Sequence, residues 1–151
     1  PGASGRVNVM AWLLDTCVVS ESFKSIPDAA VRQWLHAHRD QCLMPAVSVG
    51  EILFGIERMA PSARRSRLQL WFEQLCHDFE GKIVATDESV WRTWSQLRVS
   101  CQAIGRPQAD LDLLIAATAV THRLALVTRN TRHFQDTGLT LVNPWGSDSQ
   151  D

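Results

Sequence analysis

Hydrophobic and polar positions follow two alternating rhythms along this chain. Short apolar runs, "AWLL" closed by Asp15, "CLMPAVS" (Cys42 to Ser48), "KIVA", "LALVT" and "LTLV" (Leu139 to Val142), read as five buried strands. Between them apolar residues recur at three- and four-residue spacing, the period of a helix with one buried face. The first such stretch is "TCVVSES". The second places Ala30, Val31, Trp34 and Leu35 on one face after the start signal Pro27-Asp28, and the third is "VGEILFGIERM". Leu68, Trp71, Phe72, Leu75 and Phe79 mark a fourth helix that stops at Gly81, and Val90, Trp94, Leu97, Cys101 and Ile104 mark a fifth. "ADLDLLIAATAV" (Ala109 to Val120) is a sixth, apolar nearly all round. Strands alternating with helices predict an α/β domain of three layers, α/β/α, around a central, mainly parallel sheet.

The 151 residues, 45% of them hydrophobic, suit one domain with its own core, expected over residues 10–145. Residues 1–9 are expected to be a flexible lead or an expression remnant, since "PGASGRVNVM" has no apolar core of a secretory signal, and residues 146–151 a disordered tail. No apolar run approaches the roughly 20 residues that cross a bilayer, so no membrane is expected. The four cysteines are scattered without a C-x-x-C pair, which argues against a zinc knuckle or a disulfide framework and for a reducing cytoplasm. A net charge of −1 argues against a strongly basic nucleic-acid binder. Of the 15 basic residues only Lys24 and Lys82 are lysines, and the arginine bias suits bidentate phosphate contacts as well as it suits a high-GC genome. The six tryptophans, mostly on helices, are expected in the core.

The informative residues are acids at strand-to-helix junctions. Asp15 closes the first strand, Glu51 is expected in the first turn of the helix after the second, and Asp110 and Asp112 open the helix that feeds the fourth. In an open α/β sheet ligands bind beyond the carboxyl ends of the strands, so Asp15, Glu51 and Asp112 are expected to converge there. Each has a plain alternative, as a cap, a first-turn acid or a turn residue. Together they form a crowded oxygen donor set that wants a hard divalent cation, Mg²⁺ or Mn²⁺, while the dispersed His and Cys offer nothing comparable to zinc.

In order and spacing, "LLDTCVVSE", "SVGEILFGIER", "ADLDLLIAATA" and "LALVTRNTRHF…LVNPW" resemble the signature segments of PIN-domain ribonucleases, and within them the VapC-type toxins of type II toxin–antitoxin pairs. The resemblance spans Met10 to Trp145. It implies a Mg²⁺-dependent endoribonuclease with Asp15, Glu51 and Asp112 as catalytic acids, Asp15 and Asp112 sharing the metal, and Asp110 as a cap or supporting neighbour. Two positions depart from the family pattern. Cys17 stands where many relatives carry an amide that holds a neighbouring carboxylate, and Asn130 stands at the fourth acidic position, which removes a ligand charge for a second ion. Thr128 is expected to hold a water at the metal, Arg129 and Arg132 to contact RNA phosphate, and His133 to be a packed surface histidine. Arg64, Arg65 and Arg67 either track an RNA backbone or form a solvated helix start.

Hydrolysis of a phosphodiester needs a metal to neutralise charge on the phosphoryl oxygens and to acidify the attacking water. RNA, with tRNA as the kind of structured substrate common in the family, is the implied substrate, and blocked translation and growth the consequence. Two alternatives stand beside this reading. One is a catalytically weak PIN module that acts by binding a partner. The other is a metal-dependent nucleotide-sugar transferase using Asp110-Leu111-Asp112 as a D-x-D pair. The resemblance further implies a cognate VapB-like antitoxin docked near Trp34, Leu35, Phe54 and Ile56, and a homodimer built on the helix from Val90 to Ile104.

Overall fold

The computed structural model describes residues 11–106 and 108–146; the expected lead 1–9 and all but Gly146 of the expected tail lie outside the described residues. Five strands form one sheet: β1 (Trp12–Leu14), β2 (Cys42–Pro45), β3 (Ile83–Val84), β4 (Ala125–Val127) and β5 (Leu141–Val142). Their order is β3-β2-β1-β4-β5 and every pairing is parallel. Seven helices accompany them: α1 (Thr16–Glu21), α2 (Ala29–His38), α3 (Ala46–Glu57), α4 (Ala63–Asp78), α5 (Glu88–Ala103), α6 (Asp110–His122) and the single turn α7 (Thr131–Phe134). The expected three-layer architecture is the one observed.

Parallel strands are buried on both faces, so successive residues must serve opposite cores. Leu13 and Leu126 enter one core with Ile115, Ala116, Ala119 and Phe134. Their neighbours Leu14 and Val127 enter the other with Val18, Val31, Met44, Ile52 and Phe72. Helix α6 is buried from Leu113 through Ala119, which is why its sequence shows no polar face. Val90, Leu114 and Ala117 seat α5 against it.

Two expectations about element bounds fail. The second strand stops at Pro45, and Ala46 to Ser48 already belong to α3. Proline ends the ladder because it has no N–H to donate, and its fixed φ leads into the helix. Glu51 therefore lies in the second turn of α3, not the first. On α5, Ile104 is the exposed C-cap rather than a core residue.

The topology locates the site. From β1 the chain winds to β2 and β3 at one edge, then returns to the other side of β1 with β4 and β5. The winding reverses between β1 and β4, and the crevice beyond the carboxyl ends of such a pair is where an open sheet binds ligands. Leu14 is in register with Val127, so Asp15 and Thr128 emerge side by side.

Candidate active site

Asp15 is the centre of the site. Only 5% exposed, it caps the N-terminus of α1, and its backbone N–H donates to the Val127 carbonyl at 2.9 Å. Its Oδ1 accepts from the Thr16 N–H at 2.8 Å. Its Oδ2 accepts from the Thr128 hydroxyl at 2.7 Å and from the Cys17 thiol at 3.5 Å. A buried carboxylate is costly unless hydrogen-bonded, and this one is, yet no side-chain cation pairs with it among the described residues.

The second acid is tied to the first through a residue that sequence reasoning passed over. Thr16, directly after Asp15, donates its hydroxyl to Glu51 Oε1 at 3.0 Å and shares a 2.8 Å hydrogen bond with the Ser48 hydroxyl. Ser48 and Glu51 stand three residues apart on α3 and so share a face. The signal was present in "SVGE", but only the fold brings Thr16 to it. Burial raises the Glu51 carboxyl above its ordinary range; the Thr16 hydroxyl works against this, and the charges of Asp15 and Asp112 add to it.

Asp112 lies in the first turn of α6, its side chain 32% exposed, with Oδ2 3.7 Å from His133 Nδ1. Burial and then the Asp15 charge raise its carboxyl, and His133 lowers it. His133 is thus an exposed neighbour of an acid rather than a packed surface residue. The Asp15 charge reaches both Glu51 and Asp112, although the described residues hold no group of three or more acids, histidines or cysteines that could hold a metal ion. Mg²⁺ keeps several waters and is commonly held by one or two carboxylates together with substrate phosphates. The donor chemistry fits it. The oxygens are hard, the acids lack a strong protein counter-charge, and the one nearby sulfur is no thiolate, because burial and the Asp15 charge push the Cys17 thiol up to about 11.

The structure places the other expected residues as follows. Cys17 keeps a donor on Asp15, a weaker one than an amide. The Thr128 proton is committed to Asp15, and its oxygen accepts the Asn130 N–H at 3.0 Å, so this hydroxyl orients a carboxylate rather than donating to a water. Asn130 precedes α7 without a side-chain cap bond. Asp110 pairs with Arg98 at 2.7 Å and does not cap α6, whose N-cap is Ala109. Asp110 and Asp112 therefore serve different neighbours, and the D-x-D reading loses its basis. Arg129 sits over the Trp145 ring at 5.2 Å, while Arg132 lines a cavity together with Asp112. Arg64 and Arg67 line a separate depression with Phe23, Lys24, Ser25 and Ile26. Of the expected docking residues, Ile56 is core at 2% exposure, Trp34 and Leu35 are half-buried against it, and Phe54 stands 67% exposed beneath the Arg58 guanidinium.

Known proteins resemble this chain in sequence and fold. The PIN domain family model matches residues 12–138. VapC ribonuclease Y4jK of Sinorhizobium fredii is 34% identical over 135 residues, covering 88% of this chain and 96% of that protein. Toxin FitB of Neisseria gonorrhoeae is 32% identical over 135 residues, covering 88% and 97%. The crystal structure of FitAcB from Neisseria gonorrhoeae superposes with a TM-score of 0.83 at 32% identity, covering 89% of this chain and 98% of that one. With a family match over most of its length and relatives above 30% identity, the chain belongs to the PIN-domain family and to its VapC ribonuclease and FitB toxin type.

Proposed function

We propose that this chain is a Mg²⁺-dependent endoribonuclease, with Mn²⁺ able to substitute, and the toxin of a toxin–antitoxin pair in the cytoplasm. The observation that carries the reading is Asp15, buried and anchored at the reversal of the sheet, with Glu51 and Asp112 both raised by burial and by the Asp15 charge. Asp15 and Asp112 would hold the ion. When bound, Mg²⁺ supplies positive charge to the phosphoryl oxygens and acidifies the attacking water.

The protein's own residues do the rest. Thr128 and the Thr16 N–H fix both oxygens of Asp15, so the charge is presented without reorganisation. Glu51, aimed by the Thr16–Ser48 pair, is the proton acceptor, and its raised carboxyl brings it closer to neutrality, where a general base works best. Arg132, beside Asp112, is placed to take a substrate phosphate. Arg129, held on Trp145, is a second phosphate contact at the rim. Structured RNA such as tRNA is the substrate class.

The test is cleavage of RNA by purified protein. Activity with Mg²⁺ or Mn²⁺ that stops in EDTA is expected, and undiminished cleavage in EDTA overturns the metal assignment. A chain of this fold that binds RNA but cleaves none under any metal would instead be a partner-binding module.

A ribonuclease acting on its host's RNA must be restrained, and the naming of a relative as a toxin supports a small VapB-like antitoxin here. Phe54 offers that partner an exposed apolar contact, and Trp91 and Val99 leave exposed apolar side chains on α5 for a homodimer. Co-expression with the adjacent small reading frame should suppress toxicity, and light scattering should give a dimer. Persistent toxicity, or a strict monomer at micromolar concentration, counts against these assignments.

A further inference from the structure

Beside Asp112 opens a cavity of about 230 Å³ whose charged and amide side chains stand among apolar wall surface. Arg106, Gln108, Asp112, Arg132, His133 and Asp136 line it, drawn from the end of α5, the start of α6, and α7 with the turn that follows it. Arg106 has a fixed base. Gly105 takes φ +70° and ends α5, the Gly105 N–H donates to the Gln102 carbonyl at 3.1 Å, and the Arg106 N–H reaches back to the Cys101 carbonyl at 2.9 Å. This is the pair of bonds that closes a helix with a left-handed glycine, and it presents the Arg106 side chain from a rigid corner.

The two guanidinium charges are matched in number by the Asp112 and Asp136 carboxylates, but they are not all paired. Asp136 takes the Arg106 Nη1 at 3.2 Å, and His133 stands 3.7 Å from Asp112. Arg132 makes no hydrogen bond or ion pair among the described residues. One guanidinium is unpaired and the other has a single partner on one nitrogen, so most of their ten N–H donors are free. Two planar forks facing a small polar hollow match the oxygens of a phosphodiester. The amide of Gln108 is suited to a sugar hydroxyl or a base edge.

We infer that this cavity binds the phosphate of the RNA nucleotide next to the one cleaved, with Arg106 and Arg132 as its ligands and Asp136 as the group that holds Arg106 when the cavity is empty. The inference rests on the ribonuclease reading and sets the path of the strand across the site. Asp136 competes with phosphate for Arg106, so the two ends of one ion pair have opposite effects on RNA binding. A pair that only clasps two loops would give the same effect from either end.

The experiment uses the full chain carrying Asp15→Asn, so that RNA stays intact, and a fluorescent single-stranded oligoribonucleotide read by anisotropy between about 50 and 200 mM salt. Arg106→Ala and Arg132→Ala are each expected to weaken binding about fivefold to tenfold and to flatten the log K against log salt slope by about 0.7. Arg106→Lys should recover part of the affinity, and Asp136→Asn should bind at least as tightly as its parent. If Asp136→Asn weakens binding alongside Arg106→Ala, or if the slope is unchanged in both arginine variants, the phosphate site is overturned. The nuclease reading is scored separately on the chain with Asp15 intact. Metal-dependent cleavage with an unmoved slope leaves the nuclease standing without this subsite, and a moved slope without cleavage leaves the subsite standing without the nuclease.

Discussion

Replacing Thr128 with Val isolates the hydrogen bond that aims Asp15. The two side chains have nearly the same shape, and Thr128 is fully buried, so the change removes a hydroxyl and leaves packing intact. The lost bond is 2.7 Å long and ends on a carboxylate, the kind worth about 1.5–3 kcal/mol. The Cys17 thiol, 3.5 Å from the same oxygen, is too weak a donor to replace it. The Asn130 N–H also loses its acceptor, but Asn130 is exposed and water satisfies it. A loss of about 2 kcal/mol is expected, a fall of roughly 4–8 °C in melting temperature for a domain of this size. Thr128→Ser keeps the hydroxyl and deletes a buried methyl, at a cost of about 1 kcal/mol. The informative readout is activity. A carboxylate displaced by a fraction of an ångström to 1 Å loses up to about 10²-fold in rate, so Thr128→Val should lower kcat for RNA cleavage strongly while Thr128→Ser stays near the parent. Melting by circular dichroism in EDTA, paired with a fluorescent RNA cleavage assay in Mg²⁺, measures both. A Thr128→Val protein that melts and cleaves like the parent refutes the role assigned to Thr128, and so does a Thr128→Ser protein as inactive as the valine variant.

Three further outcomes follow from the same geometry. Asp112→Asn should abolish cleavage, and in EDTA it should alter the pH dependence of stability. Because the Asp112 and Glu51 carboxyls are raised, the stability they contribute is complete below the unfolded value near 4 and is lost as pH rises through the folded one. The variant should therefore gain on the parent between acid and neutral pH in urea melts, and a parallel pair of curves would show that the charges do not interact; Mg²⁺ at 100 times its Kd should restore about 2.7 kcal/mol to the parent and less to the variant. Asp110→Asn breaks only an exposed pair with Arg98 and should cost under about 1 kcal/mol with activity retained; severe loss of cleavage would move the catalytic assignment to Asp110. Phe54→Glu should leave the melting temperature near the parent while abolishing antitoxin capture, whereas Ile56→Ala should cost about 2–4 kcal/mol, measured by denaturant titration; a large loss of stability in Phe54→Glu would show that Phe54 is structural.

Asp15 and Asp112 were legible because each interrupts an apolar pattern at the end of a strand or the start of a helix, and Glu51 because it interrupts the apolar run of α3. The Asp110 and Asp112 roles were legible in principle too. Residues two apart on a helix point in different directions, so once "ADLDLLIAATAV" reads as a helix the two acids cannot serve one site equally. The structure gives one to Arg98 and turns the other toward His133 and the site. The contact between Asp15 and Thr128 was not legible, since it joins residues 113 positions apart and depends on β4 returning to lie beside β1. Strand order is settled by packing of the whole chain, and no local run of residues carries it. The same holds for Thr16 and Ser48, whose hydroxyls look like ordinary helix-start residues until α1 and α3 meet. The end of β2 was misread because "AVS" continues an apolar run, and the breaking power of Pro45 outweighed that pattern.

What the fold does with Asp15 also explains why the site is built from hydroxyls and N–H groups. A buried carboxylate is stabilised either by a cation or by neutral donors, and a protein cation at this position would neutralise the charge permanently. Thr16, Thr128 and Cys17 lower the cost of burial while leaving the full negative charge facing the crevice. Burial raises the Glu51 and Asp112 carboxyls, and the Asp15 charge adds to it against the opposing Thr16 hydroxyl and His133. The arrangement is less stable than one with an arginine in the gap. Its residual charge is what the proposed divalent ion would satisfy, so in that reading the electrostatic strain of the site and its affinity for metal have the same origin.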